Sequence, residues 1–389
     1  MKFLKRLFAP ALALALLCSL AGCMADPAVK TPSPGSVVAP GGTSSVPTPI
    51  PSAKPVSFAD REMRLALCTS LTTINDRAYN AACYEGVLNF IISRNLIDSV
   101  APIQETTGDP VAVEEFLRAA LPNYDVFVCV GDSYSKIAGL ARENPDKYFV
   151  VINAAAEGQA DNLASVSFAE EQCGFFAGIA AALETATGRV AVVNGLPSDA
   201  NTRYYYGFRS GVAYTNGNFG TTAEVVDLPE YAGTTANGTV LGGNFTGSAT
   251  DQSLTYTLAN SLFSQGCDVL FVAADAAGAG AYSAATEHDN VWIIGSESDQ
   301  FFYGSTSDGR NFVLTSVTKE LAAEVESMLA SVASGAFQSG SRRLSAADNA
   351  LGYVSSSDHQ QLNEKTLNVL AAAWPMMQDG TIVPGVGPQ

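Results

Sequence analysis

The residues that could act as general bases near neutral pH are few, because the chain has only two histidines, His288 and His359. His288 lies in a polar segment, Thr-Glu-His-Asp-Asn, that precedes a strand-like apolar run, and His359 lies in a similarly polar segment. Such segments are typical of solvated turns. Both histidines are therefore interpreted as surface residues and not as catalytic bases or metal ligands.

A Gly-Asp-Ser triplet at 131–133 resembles the nucleophile block of one hydrolase family, and Asp358 beside His359 could be taken to complete a triad. Those hydrolases place the serine near the mature N-terminus and separate Asp from His by two residues, which this chain does not do. The sequence also has no G-x-S-x-G elbow, phosphate-binding loop, H-E-x-x-H helix or C-x-x-C pair. It therefore predicts a protein that is not an enzyme and that uses no cofactor or metal.

Polar and aromatic residues follow the strand-like run 65–68 and are candidates for binding rather than catalysis. Asn75 or Asp76 can cap the helix that follows, and the start of that helix carries Tyr79 and Tyr84. Ligands bind at the carboxyl ends of parallel strands in open α/β sheets. These side chains are therefore expected to project toward a ligand.

The elements that must position these residues alternate along the chain. Strand-sized apolar runs occur at 65–68, 126–130, 148–152, 190–193, 269–273 and 291–294, and segments with helical spacing occur at 76–93, 111–121, 170–185, 251–264 and 319–332. Continuous apolar strands joined by helices indicate parallel sheets covered on both faces. Because one sheet of this size would be unusually wide, we predict two doubly wound lobes with a cleft between them.

Length and charge limit the possible functions. The 389 residues suit about two domains, and 47% apolar against 15% charged residues describe a globular chain. With 21 Lys and Arg against 38 Asp and Glu the formal net charge is −17, which repels polyphosphate backbones. Nucleic acid is therefore excluded as an expected partner.

The N-terminal segment has the pattern of an export signal. Three basic residues precede an apolar run, and Leu-Ala-Gly-Cys at 20–23 resembles a bacterial lipobox. This predicts a signal peptide at 1–22, lipidation of Cys23 and attachment to the extracytoplasmic face of the cell membrane. A stretch rich in Pro, Ser and Thr completes the predicted linker 23–57.

Several segments resemble the basic membrane protein family, the nucleoside-binding lipoproteins of ABC importers. Residues 75–86 follow the family pattern D-D-K-S-F-N-Q-x-x-W-E-G in a diverged form, in which Asp76, Asn80, Glu85 and Gly86 match. Further matching segments follow in the family's order at 168–182, 188–195, 206–212, 266–280, 294–300, 314–319 and 379–384. The resemblance covers the chain from about residue 63 to residue 384.

The resemblance implies a type I periplasmic-binding-protein fold with three hinge crossings. The expected N-terminal lobe comprises 58–166 with 299–345, and the expected C-terminal lobe comprises 167–298 with 346–389. The implied function is capture of a small polar ligand, a nucleoside above all, which is passed to an ABC transporter permease without being altered.

The resemblance also implies which residues bind the ligand. Aromatic rings would stack on the base, and Tyr84 matches a family aromatic residue, with Tyr79 nearby. Glu297 occupies a family aspartate position, and Asn153 and Asn75 stand where the family has two others. The complete set is Asn75, Asp76, Tyr79, Tyr84, Asn153, Gly278, Glu297 and Lys319.

Two other functions remain compatible with the sequence. A lipoprotein receptor of the same fold could sense the ligand and signal instead of importing it. An extracytoplasmic nucleoside hydrolase would bind the same ligand and release products from it.

Overall fold

The computed structural model describes residue 58 and residues 62–95, 100–235 and 237–387. The expected signal peptide 1–22, the lipidated Cys23 and the linker 23–57 lie outside the described residues. Within the described part of the chain, no helix is both long and apolar enough to cross a membrane.

The described residues form strands and helices that alternate through most of the chain. The strands are β1 Leu65–Ser70, β2 Val100–Glu105, β3 Val126–Val130, β4 Tyr148–Ile152, β5 Leu163–Phe168, β6 Arg189–Asn194, β7 Glu224–Val225, β8 Gly233–Thr234, β9 Val240–Gly242, β10 Val269–Ala273, β11 Trp292–Gly295, β12 Val313–Lys319, β13 Gly340–Leu344 and β14 Leu351–Tyr353. The helices are α1 Tyr79–Ser93, α2 Pro110–Ala120, α3 Ala138–Glu143, α4 Glu170–Glu184, α5 Asp199–Phe219, α6 Gln252–Ser264, α7 Ala279–Ala285, α8 Leu321–Ala333 and α9 Glu364–Gln378.

The strands pair into two six-stranded sheets, and this confirms the predicted two-lobed α/β fold. The first sheet has the order β13-β5-β4-β3-β1-β2, and the second has the order β14-β12-β11-β10-β6-β7. All pairs in both sheets are parallel except β12 with β14. The central strands of each sheet are mostly apolar and buried because helices cover both faces of the sheet.

The chain passes between the sheets three times. It leaves the first sheet after β5, returns to it between β12 and β13, and leaves it again between β13 and β14. The range 299–345 was expected to lie in the N-terminal lobe, but β12 at Val313–Lys319 pairs with β11 in the second sheet. The return to the first sheet therefore follows Lys319, and not residue 298, because β12 pairs with β11 and β14 as a strand of the second sheet.

Helices α4 and α5 pack unusually closely in the second lobe. A Cβ atom added at Gly207 would overlap the backbone carbonyl of Glu171, and one added at Gly174 would overlap that of Tyr204. Glycine is therefore required at these contacts, since any larger residue would separate the helices. The close packing brings the N-terminal end of α4 to the first turns of α5.

Candidate functional site

A buried lysine, Lys319, joins the two lobes at the carboxyl end of β12. Its Nζ donates hydrogen bonds to Asn153 Oδ1 at 2.8 Å, to Glu170 Oε1 at 2.9 Å and to Glu297 Oε1 at 3.1 Å. Burial alone would lower the pKa of Lys319, but the charges of Glu170 and Glu297 outweigh it and raise that pKa well above its ordinary value. Lys319 is therefore a permanently charged ammonium group.

The partners of Lys319 come from three different elements. Asn153 directly follows β4 of the first sheet, Glu297 follows β11 of the second sheet, and Glu170 is the first residue of α4. Asn153 and Glu297 have left-handed backbone conformations, with φ of 65° and 72°. Such conformations are uncommon for residues other than glycine and are often found where a side chain must be aimed at a site.

Glu170 links Lys319 to a second cation. Its Oε2 accepts a hydrogen bond from Arg203 Nε at 2.7 Å, and its side chain is almost completely buried. Burial would raise the pKa of Glu170, but Lys319 and Arg203 together lower it. In the sequence, Glu170 is only one member of a segment that matches the family, and no local pattern marks the pair, because Arg203 reaches it from α5.

Tyr204 holds Glu297 in place with a hydrogen bond and contacts the lysine with its ring. Its hydroxyl donates to Glu297 Oε1 at 2.9 Å, and its ring centroid lies 5.1 Å from Lys319 Nζ. The ring of Phe168 lies 5.5 Å from the same atom. Aromatic faces attract cations, so the two rings stabilise the buried ammonium group. Sequence reasoning identified neither aromatic residue as part of the site.

The Asp76 carboxylate is bound by backbone N–H groups of the residues that follow it. Its carboxylate accepts hydrogen bonds from the N–H groups of Ala78, Asn80 and Ala81 at 2.9–3.0 Å. It therefore fixes the beginning of α1, as predicted for a capping residue. The neighbouring Asn75 is exposed and lines an outer groove together with Arg77 and Gln252.

The two tyrosines of α1 have different surroundings. Tyr79 is half-buried and lies against Gly131, where an added Cβ would be 3.7 Å from its ring. Burial, followed by the charges of Asp275 and Asp76, raises the pKa of Tyr79 well above its ordinary value, so its hydroxyl stays protonated. Tyr84 is also half-buried, but the packing observed for it is against the apolar core. The structure thus brings Tyr79, and not Tyr84, to the acidic groups of the cleft.

A cavity lies between the lobes next to these groups. From the first lobe it is lined by Asp76, Arg77 and Ala78, and from the second by Val272, Ala274, Asp275, Gly278, Ala279, Tyr282, Ser296, Gln300 and Tyr303. The lobes also touch at its edge, where Gln300 Nε2 donates to the carbonyl of Arg77 at 3.2 Å and the Arg77 guanidinium lies 4.7 Å from the Tyr303 ring centroid. The predicted Gly278 thus lines the space between the lobes.

Two further carboxylates border the cleft and were not predicted as site residues. Asp132 lies two residues beyond the end of β3, and Asp275 lies two residues beyond the end of β10. Burial, followed by the charge of Glu170, raises the pKa of Asp132 to about 6. Burial, followed by the charges of Glu297 and Asp76, raises the pKa of Asp275 to about 8.

Each of the two histidines contacts one polar side chain that is distant in the sequence. His288 Nε2 lies 2.7 Å from Asn260 Oδ1, and His359 Nδ1 lies 2.5 Å from Asp299 Oδ2 while its ring stacks on Phe301. Among the described residues, no group of three or more His, Cys, Asp or Glu side chains is arranged to hold a metal ion.

Two parallel-sheet lobes, three crossings and a polar cleft define the class of type I periplasmic-binding folds. Solved solute-binding proteins share this architecture. A solute-binding protein of an ABC transporter system from Aeropyrum pernix superposes with a TM-score of 0.69 at 21% identity, covering 84% of this chain and 94% of that one. A second, from Conexibacter woesei, has a TM-score of 0.62 at 19% identity and covers 84% of this chain and all of the other.

The chain belongs to the Bmp family, described as ABC transporter substrate-binding protein PnrA-like, whose profile matches residues 65–230 and 242–375. A relative in Lactococcus lactis, named ABC transporter nucleoside-binding protein BmpA, is 26% identical over 292 residues, which are 72% of this chain and 77% of the relative. The family predicted from the sequence is thus confirmed.

Proposed function

We propose that this protein is the lipid-anchored, extracytoplasmic solute-binding protein of an ABC importer and that it captures a nucleoside between its lobes. The observation that carries the proposal is the Lys319 group, in which Asn153 beside the first sheet and Glu297 beside the second contact one buried ammonium group. A ligand that contacts residues of both lobes favours the closed arrangement over the open one. The name of the Lactococcus lactis relative supports a nucleoside as that ligand.

The proposed ligand contacts follow from the chemistry of a nucleoside. Glu297 and Asn153 accept hydrogen bonds from the ribose hydroxyls, and Lys319 holds both acceptors in place. Tyr79 stacks on the base, and Tyr84 supports the same helix from the side that packs against the apolar core. The remaining contacts are assigned to Asn75, Asp76 and Gly278, with Gly278 allowing the backbone to approach the ligand.

Capture occurs without a chemical step in this proposal. The ligand is released unchanged to a membrane permease, and the lipid on Cys23 keeps the protein near it. Binding and closure need only differential contacts in the two arrangements, which the cross-lobe cleft can supply.

The proposal is tested by isothermal titration calorimetry of the full chain with adenosine, guanosine, inosine, cytidine and uridine, and with ribose and glucose as comparison ligands. We expect saturable binding of at least one nucleoside. Glu297→Ala should abolish it, because that change removes the carboxylate that joins Lys319 to Tyr204. Glu230→Ala is the control, since Glu230 is an exposed glutamate of the same lobe.

Three outcomes would contradict the proposal. Binding of sugars alone would show that the ligand class is wrong, and unchanged nucleoside binding by Glu297→Ala would show that the Lys319 group is not the site. Chromatography of the ligand after incubation provides the third test, because a free base and ribose would reveal a hydrolase.

A further inference from the structure

Asp275 is half-buried and, unlike Asp76, Glu170 and Glu297, has no partner for its carboxylate in the described part of the chain. It begins the short 3₁₀ turn Asp275–Gly278 after β10, its φ is 49°, and it lines the cavity between the lobes. Glu170 and Glu297 are bonded to Lys319, and Asp76 accepts three backbone N–H groups. Within the described residues, no donor forms a hydrogen bond to the Asp275 carboxylate.

The charges that face Asp275 are mostly negative. Glu297 acts on it from the end of β11, Asp76 from the β1–α1 connection and Asp132 from the end of β3. Two cations lie near it. Lys319 already gives its three hydrogen bonds to Asn153, Glu170 and Glu297. Arg77 lines the same cavity, with its guanidinium over the Tyr303 ring. The negative charge around Asp275 is therefore only partly compensated.

Glu297 is a second carboxylate of the cleft with an oxygen atom that can still accept a hydrogen bond. Its residue is only 6% exposed, yet its Oε2 accepts no hydrogen bond, although that atom lies 3.1 Å from Lys319 Nζ. A buried carboxylate oxygen without a hydrogen-bond donor is costly, so a donor brought by a ligand would be strongly favoured.

Like charges on the two lobes also affect closure. Asp132 belongs to the first lobe and Asp275 to the second, and the charge of Asp132 is one of those that raise the pKa of Asp275. Bringing such groups together opposes closing. At pH 7 a bound proton relieves this repulsion, and a neutral hydroxyl leaves that proton on Asp275, whereas a cation takes its place.

We propose that the captured ligand carries a protonated amino group and that Asp275 is the residue that selects it. The ligand class is thus a nucleoside-sized polar molecule with one ammonium group, and a wholly neutral nucleoside is a weaker ligand. This inference rests on the proposed function and assigns Asp275 a role in specificity within the same cleft.

The proposal predicts that the protein releases a proton when the ligand binds, and this release can be measured. Because the pKa of Asp275 is raised to about 8, its carboxyl group is largely protonated at pH 7 before binding. An ammonium group beside it favours the ionised form, so the proton leaves the protein as the ligand binds. A neutral ligand that keeps the carboxyl protonated releases none.

The test uses calorimetry of the full chain with adenosine and with its 2′-, 3′- and 5′-amino-deoxy analogues, at a pH at which the amino group is protonated. We expect at least one analogue to bind about tenfold more tightly than adenosine. Repeating the titration at pH 7 in buffers of different ionisation enthalpy should show proton release. Asp275→Asn should remove both the preference and the release.

Asp275→Asn is expected to fold, because asparagine tolerates the left-handed backbone conformation and has the same shape. Asp289→Asn is the matched control. It removes one negative charge from the same lobe at a side chain that is 88% exposed and paired with Arg310. Its ligand preference should equal that of the wild type.

Each remaining outcome overturns one specific statement. If adenosine binds as tightly as every amino analogue, the inference about the ligand fails while the proposed function stands. If Asp275→Asn keeps the preference, Asp275 is not the selecting residue. If neither adenosine nor any analogue binds, and the other nucleosides also do not, the proposed function fails.

Discussion

The two lobes have equivalent strand orders, so each residue at a strand end in one lobe has a counterpart in the other. The orders β5-β4-β3-β1 and β12-β11-β10-β6 occupy the same places in the two sheets. Asn153 and Glu297, which follow β4 and β11, are one such pair, and Asp132 and Asp275, which follow β3 and β10, are another.

The first pair shows how one backbone position can carry different chemistry. Both residues have a left-handed φ and both bond Lys319, but one is a neutral amide and the other an acid. Lys319 itself ends β12, and its counterpart at the end of β5 is Phe168. The repeated architecture thus supplies equivalent places, while the residue types make the second lobe the more highly charged wall.

The largest effect is expected from breaking the connection between the lobes at Lys319. Lys319→Met leaves Glu170 and Glu297 buried without their shared cation, which should cost about 3–5 kcal/mol of unfolding free energy. Urea denaturation measures it. Arg310→Met is the control, because its ion pair with Asp308 is exposed and its loss should leave the midpoint almost unchanged. Equal effects of the two changes would contradict the assigned importance of the Lys319 group.

A smaller effect should distinguish two acids that both follow a strand. Asp76→Asn weakens the three backbone hydrogen bonds at the start of α1 and should destabilise the protein by about 1 kcal/mol. Asp275→Asn removes no hydrogen bond and relieves repulsion, so it should not destabilise the protein at pH 8. Thermal denaturation of the two variants checks the difference. A larger loss for Asp275→Asn would show that Asp275 has a structural partner.

The smallest effect concerns pH. Because the pKa of Asp275 is raised to about 8 in the folded protein, the folded state holds a proton that the unfolded state releases. Stability should therefore fall as the pH rises from the ordinary aspartate range to about 8, with Asp132 contributing only up to about pH 6. Melting temperatures between pH 4 and 9 should fall less for Asp275→Asn than for the wild type. Parallel curves would contradict the assigned pKa.

Much of the fold could be predicted because buried parallel strands are continuous apolar runs. All six predicted runs are strands. Among the strands that were not predicted, β2 contains proline and is partly exposed at a sheet edge, and the apolar residues of β12 are interrupted by threonine and serine. These sequences lack the apolar pattern because an edge position and the cleft each place polar side chains on a strand.

The candidate site was predicted only in part. Family motifs named Asn153, Glu297 and Lys319, which the structure brings into contact. Without the resemblance, Lys319 would be interpreted as a solvated residue at the start of a helix, yet its side chain is completely buried. Its burial depends on Glu170, which lies 149 residues away in the chain.

The amino-acid sequence by itself determined the two-lobed α/β architecture, the family and the strand ends where polar residues gather, because these depend on local periodicity and on motifs. Only the tertiary structure decided which acids are neutralised. Asp76 and Asp275 look alike in the sequence, but one meets the N–H groups of its own helix and the other meets the charges of Glu297 and Asp132. Electrostatic interactions depend on distance and burial in space, and neither can be read from spacing along the chain.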